Sequence, residues 1–146
     1  MAKASRSNST RQDWGRARNW RNEASSAPPA AGPYSHAVRA GDWVVCAGQI
    51  PLDPTTGTLV EGDVTAQAER VLGNVRAVLG DVGGTLADVA KATIFLVDLA
   101  DFAAVNAVYA EAFGDHRPAR STIQVAALPA GARVEIEVWA HLPVAG

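Results

Sequence analysis

From Gly32 onward the apolar residues recur at regular spacings; before it they do not. Val64, Ala68, Val71, Leu72, Val75, Val78 and Leu79 return at three- and four-residue steps, which puts them on one stripe of a helix over residues 64–79. Asp63 stands at the N-cap position, and Gly80 with Gly83-Gly84 predicts the stop. Phe102, Val105, Val108, Tyr109, Ala112 and Phe113 predict a second helix, capped by Asp101 and ended at Gly114. Residues 133–141 change to period two. Val134, Ile136, Val138 and Ala140 face one way, and Arg133, Glu135, Glu137, Trp139 and His141 the other. Runs rich in β-branched and aromatic residues predict further strands over 34–38, 42–49, 89–99 and 120–127. The order β-β-α-β-α-β-β predicts an α+β fold, a mixed β-sheet with two helices packed on one face. Trp43 and Trp139 fall on the other face among charges. Large aromatics on a broad open face predict an oligomer interface there.

Residues 1–31 are rich in Arg, Ser, Asn and Ala, lack apolar periodicity and end near Pro28-Pro29. They read as a disordered or loosely ordered extension, and residues 32–146 as the single folded domain. The composition of the extension fits a tail, a transit peptide or a basic arm for an anionic partner. A cytoplasmic protein is expected, or a mitochondrial one if residues 1–25 act as a transit peptide; no apolar core of a secretory signal is present. Charge divides along the same boundary, with +4 on residues 1–31 and −6 on the rest, for a net charge of −2. An acidic body argues against a nucleic-acid-binding surface on the domain. No apolar run approaches the ~20 residues of a membrane span. Cys46 is the only cysteine and lies in an apolar run, so a buried thiol is expected. Three histidines without close Cys/His spacing give no metal site.

The segment Arg117-Pro118-Ala119-Arg120-Ser121 adds candidate chemistry. Proline restricts its own φ and its predecessor's, so Arg120 opens its strand with a defined direction. A guanidinium there matches a carboxylate through two parallel hydrogen bonds. The other reading is a surface arginine at a strand end. Glu135 and Glu137, alternating with inward valines, read either as solvated carboxylates or as a candidate base. Tyr34, after Gly-Pro, is either a packing ring or a wall against a substrate. His116 reads as a loop residue exposed to solvent.

Five segments in order resemble the RidA (YjgF, reactive intermediate deaminase) family. They are Gly32-Pro33-Tyr34-Ser35-His36-Ala37-Val38, Ala47-Gly48-Gln49-Ile50-Pro51-Leu52, Val105-Asn106-Ala107-Val108-Tyr109, Arg117-Pro118-Ala119-Arg120-Ser121 and Val134-Glu135-Ile136-Glu137. The resemblance runs from about Ser26 to His141; residues 1–25 lie outside it. It implies a chorismate-mutase-like fold assembled as a homotrimer with clefts between subunits. It also implies hydrolysis of 2-imino acids and 2-aminoacrylate to 2-keto acids and ammonia, without cofactor or metal. Arg120 matches the family's substrate-carboxylate arginine, and Tyr34, Ser121 and Glu135 match pocket positions. Gly48 and Asn106 match positions near the cleft with a structural role. Thr122 stands where some members carry cysteine, and His36 where glutamine is common.

On that resemblance, Arg120 and Glu135 are the catalytic candidates, and Tyr34, Arg120, Ser121 and Thr122 the substrate-binding ones. Arg120 fixes the carboxylate, Glu135 orients or deprotonates a water, and backbone carbonyls near Ser121 and Thr122 accept the amine. The alternatives are a keto-acid-binding or holdase-type trimer without catalysis, and an endoribonuclease. The latter requires a basic surface with stacking aromatics. Only the N-terminal arm, with Arg16, Arg18, Arg21, Trp14 and Trp20, offers one.

Overall fold

The computed structural model describes residues 18–20 and 27–144. Among these residues six strands and two α-helices follow in the order β1 (Arg18–Trp20), β2 (Ala37–Ala40), β3 (Trp43–Cys46), α1 (Val64–Asp81), β4 (Val89–Leu96), α2 (Phe102–Phe113), β5 (Ala119–Gln124) and β6 (Val134–His141). The strands form one mixed sheet in the order β1-β2-β3-β6-β4-β5, in which only the β4–β5 pair is parallel. This is the expected α+β architecture with one strand more. The backbone of Arg18–Trp20 pairs antiparallel with β2, although no periodicity in that stretch signals a strand. Three residues are too few for an alternation to show. The tail, transit-peptide and basic-arm readings of residues 1–17 and 21–26 fall outside the described residues.

Helix α1 starts as expected, with the Asp63 carboxylate accepting the Ala66 amide at 3.0 Å. It continues through Gly80 to Asp81, beyond the expected stop, because the left-handed conformation belongs to Gly83 (φ 84°). Helix α2 differs at its start. Asp101 occupies the N-cap position but makes no capping bond; its carboxylate takes the Arg133 Nη2 group at 2.9 and 3.0 Å instead. The short helical turn before it is capped by Asp98, whose Oδ1 accepts the Ala100 amide.

One face of the sheet packs on α1 and α2. Leu72, Leu79, Ile94, Leu96 and Ile136 are fully buried between the layers, each contributing roughly 1.5–3 kcal/mol by removal from water. Val134, Ile136, Val138 and Ala140 point into this core, as the period-two pattern requires. The opposite face carries Trp43, Trp139 and Ile123, each more than 40% exposed. Cys46 is buried, and desolvation pushes its thiol up to about 12, so it is a packing residue without thiolate character. Among the described residues no helix is long and apolar enough to cross a membrane.

Asn74 joins the core to the loop after β3. It is fully buried on α1, and its amide donates to the Ile50 and Leu52 carbonyls at 3.1 and 3.0 Å. Its own oxygen accepts Arg70 Nε. A buried amide with its hydrogen bonds made holds that loop firmly.

Candidate functional site

Two groups of side chains carry the candidate chemistry, and they lie on opposite faces of the sheet. The first surrounds Glu135. Gln49 and Ile136 exchange backbone hydrogen bonds at 2.9 and 3.1 Å, which draws the Gly48-Gln49 segment alongside β6. Gly48 therefore passes directly over the Glu135 side chain. A Cβ at that position would sit 2.9 Å from Glu135 Cδ and closer still to the carboxylate oxygen. Only a residue without Cβ leaves the carboxylate where it is. Tyr34 and His36 complete the wall, their rings edge to face with centroids 6.5 Å apart. The Tyr34 hydroxyl accepts the Ala31 amide at 3.2 Å, which ties the Gly32-Pro33 turn to the cavity. The enclosed space is about 310 Å³ and has apolar walls from Ile50, Leu52 and Pro129. Burial raises the Glu135 carboxyl above its ordinary value, and the neighbouring Glu137 charge raises it further.

The second group surrounds Arg120 at the start of β5. Arg120 Nη1 donates to Asn106 Oδ1 at 2.8 Å. The guanidinium carbon lies 4.8 Å from the Tyr109 ring centroid and 5.6 Å from that of Phe102. Phe102, Asn106 and Tyr109 are spaced four and three residues apart on α2, so one helix face supplies both rings and the amide. Each cation–ring contact adds roughly 0.5–1 kcal/mol, enough to favour one orientation of the side chain. Thr122 Oγ1 and Tyr109 Oη are buried here without a hydrogen-bond partner. An unsatisfied buried hydroxyl costs about 1–3 kcal/mol, and the Tyr109 hydroxyl belongs to a residue that lines an open cavity. Desolvation raises the Tyr109 hydroxyl, and the Arg120 charge partly offsets this.

The register separates the two groups. Arg120 lies level with Ala92 and Val138 on the helix-packed face, and Thr122 with Ile94 and Ile136. Glu135 lies level with Phe95 and Ile123 on the open face. Ser121 also points to the open face, where its hydroxyl meets Lys91 Nζ at 2.9 Å. Thus the structure brings Tyr34 and Glu135 to one cavity and sets Arg120 and Thr122 together on the helix-packed face. Ser121 joins neither. The aromatic support of Arg120 was missed by the sequence reading, which placed Phe102 and Tyr109 only in an apolar stripe. Two rings flanking Asn106 on one helix face were the available signal. His116 is half-buried rather than exposed, its Nε2 lying 2.6 Å from the Val89 carbonyl. No group of three or more metal-ligating side chains gathers among the described residues.

A family model described as Endoribonuclease L-PSP matches residues 24–142. The chain is 47% identical over 118 residues to the 2-iminobutanoate/2-iminopropanoate deaminase of Salmonella typhimurium, covering 79% of this chain and 91% of that one. It is 46% identical over 115 residues to a RutC family protein of Pyrococcus abyssi, covering 79% and 91% of the two chains. Among solved structures it resembles E. coli TdcF with bound serine, at a TM-score of 0.76 and 43% identity, covering 80% of this chain and 94% of that one.

Proposed function

This chain belongs to the RidA/YjgF/RutC family, which the Endoribonuclease L-PSP model describes, and on that premise we propose that it hydrolyses 2-imino acids, including 2-aminoacrylate after tautomerisation, to 2-keto acids and ammonia. The observation that carries the proposal is the division just described. A guanidinium held by Asn106 and two rings lies on one sheet face, and a desolvated carboxylate beside Gly48 lies on the other. One protomer cannot bring both to a single small substrate. A second copy, docked so that its Glu135 cavity meets this copy's β5 edge, unites them. The open face with Trp43, Trp139 and Ile123 provides apolar surface for such docking. A homotrimer with a site between each pair of subunits satisfies both requirements.

In that assembly each residue has a defined task. Arg120 grips the α-carboxylate through paired N–H groups, and Asn106 sets the plane of the fork. Thr122 Oγ1 supplies a further polar contact. Glu135 of the neighbouring copy accepts a proton from water as the oxygen bonds to C2. The former imine nitrogen takes up protons and leaves as ammonia when the C–N bond breaks, and the carbonyl forms. Tyr34 and the apolar walls beside it close over the bound substrate. A raised carboxyl makes Glu135 a stronger base than an exposed glutamate, which suits proton abstraction near neutrality. The base contributes about 10²–10⁴-fold, and fixed geometry contributes the rest.

The test is loss of an imine generated in situ by an amino-acid oxidase, followed with and without the protein. Faster loss with the unaltered chain and none with Arg120→Ala is the expected result. Full activity in Arg120→Ala refutes the assignment.

A further inference from the structure

A second cavity opens on the helix side of Arg120, about 360 Å³ in volume, with Asn106, Tyr109, His116, Arg117 and Arg120 in its walls. No carboxylate contributes to that lining. Two arginines share it, yet neither is paired with an acid among the described residues. Arg120 spends one Nη1 hydrogen on Asn106, its only side-chain hydrogen bond there, although a guanidinium has five N–H donors. Arg117 makes no hydrogen bond or ion pair among the described residues, and Pro118 after it restricts its backbone. Tyr109 is only 7% exposed, lines the same cavity, and has no partner for its hydroxyl. The close contact between His116 Nε2 and the Val89 carbonyl holds the imidazole in the wall; a carbonyl only accepts, so that nitrogen is the donor. Two cations, an orphaned buried hydroxyl and no acid describe a place for a negative charge that the protein itself does not supply.

A monocarboxylic substrate engages Arg120 and leaves Arg117 and the Tyr109 hydroxyl without a task. We propose that the side chain of the preferred substrate carries a second carboxylate, making it a dicarboxylic 2-imino acid, and that Arg117 and the Tyr109 hydroxyl hold this group while Arg120 holds the first. The inference rests on the deaminase reading for the identity of the ligand, and it adds the class of side chain.

Calorimetric binding of the stable keto-acid products tests it on the full chain. 2-Oxoglutarate is compared with 2-oxobutyrate, and inorganic phosphate serves as a free-anion control. The unaltered chain is expected to prefer 2-oxoglutarate by about tenfold, the effect of one hydrogen bond to a charged group. Arg117→Ala is expected to erase most of that ratio, and Tyr109→Phe, which keeps the ring under Arg120, to reduce it severalfold. Equal affinity for the two keto acids, or a ratio unaltered by both substitutions, overturns the proposal. Arg117-dependent phosphate binding without a keto-acid preference overturns it too, since the cavity is then a free-anion site. In parallel, oxidase-generated imines of glutamate and 2-aminobutyrate are followed for hydrolysis. If neither imine is consumed while the 2-oxoglutarate preference and its Arg117 dependence persist, the dicarboxylate subsite stands and the hydrolysis reading fails.

Discussion

Mixing two inactive variants tests the shared site directly. Arg120→Ala removes the carboxylate anchor and leaves the Glu135 cavity intact, because the two lie on opposite sheet faces. Glu135→Gln does the reverse. It keeps the size of the side chain beneath Gly48 and removes only the charge. Each variant alone is expected to fall to about 1% of normal turnover or less, the usual loss when a general base or its substrate anchor is removed. If every site takes Arg120 from one copy and Glu135 from the next, random co-assembly of equal amounts restores some sites. A site works when its arginine comes from the Glu135→Gln chain and its glutamate from the Arg120→Ala chain. That occurs in about one site in four, whatever the number of subunits in a closed ring. Co-expression under two affinity tags, tandem purification and native mass spectrometry establish the mixed assemblies. Removing the unmixed assemblies leaves each mixed trimer with one working site in three, so the oxidase-coupled assay then reads recovery from about 1% to about a third of normal activity. Mixed assemblies that stay as inactive as their parents refute the shared site.

Other expectations follow from single features. Gly48→Ala pushes the Glu135 carboxylate aside, and is expected to lower kcat at least tenfold with the fold intact by circular dichroism. Turnover should fall with acidification at a pH above the ordinary carboxylate range, because the working form is the carboxylate and burial and Glu137 raise its pKa. Glu137→Gln removes the like charge and should move that acid limb to lower pH; a limb that moves up contradicts the assignment. The same raised pKa means that ionised Glu135 lowers stability as pH rises through its folded value. At neutral pH Glu135→Gln should therefore unfold at the same temperature as the unaltered chain or higher, as read by calorimetry. Trp139→Glu places a charge on the open face and should reduce the light-scattering mass toward that of one chain. Cys46 should resist thiol reagents at pH 8 until the chain is unfolded, since its pKa is about 12.

Both helices, the final strand and the two-layer architecture were legible because each rests on a periodicity longer than its errors. The Val64–Leu79 stripe and the Val134–Ala140 alternation each name their buried face residue by residue. Legibility fails where a side chain has two possible partners. Asp101 has the position of a cap, but Arg133, 32 residues away in the chain, takes its carboxylate. The sequence singles out Arg120 and Glu135 as candidates, but does not show their separation. Facing depends on register across β4, and registry between distant strands is not written in either strand alone. The Tyr109–Arg120 contact belongs to the same class, since a ring in an apolar stripe looks the same whether it packs on leucine or on a cation.

Asn74 has a thermodynamic consequence. It fastens the Ile50–Leu52 stretch to α1 from behind, so that wall of the Glu135 cavity is already set before any ligand arrives. Little configurational freedom then remains there for a small molecule to remove, and association should carry a correspondingly slight entropic penalty from the backbone. Asn74→Ala would loosen the wall from a position on the far side of the loop. Its signature would be a less favourable binding entropy, with the contacts to the ligand themselves unchanged.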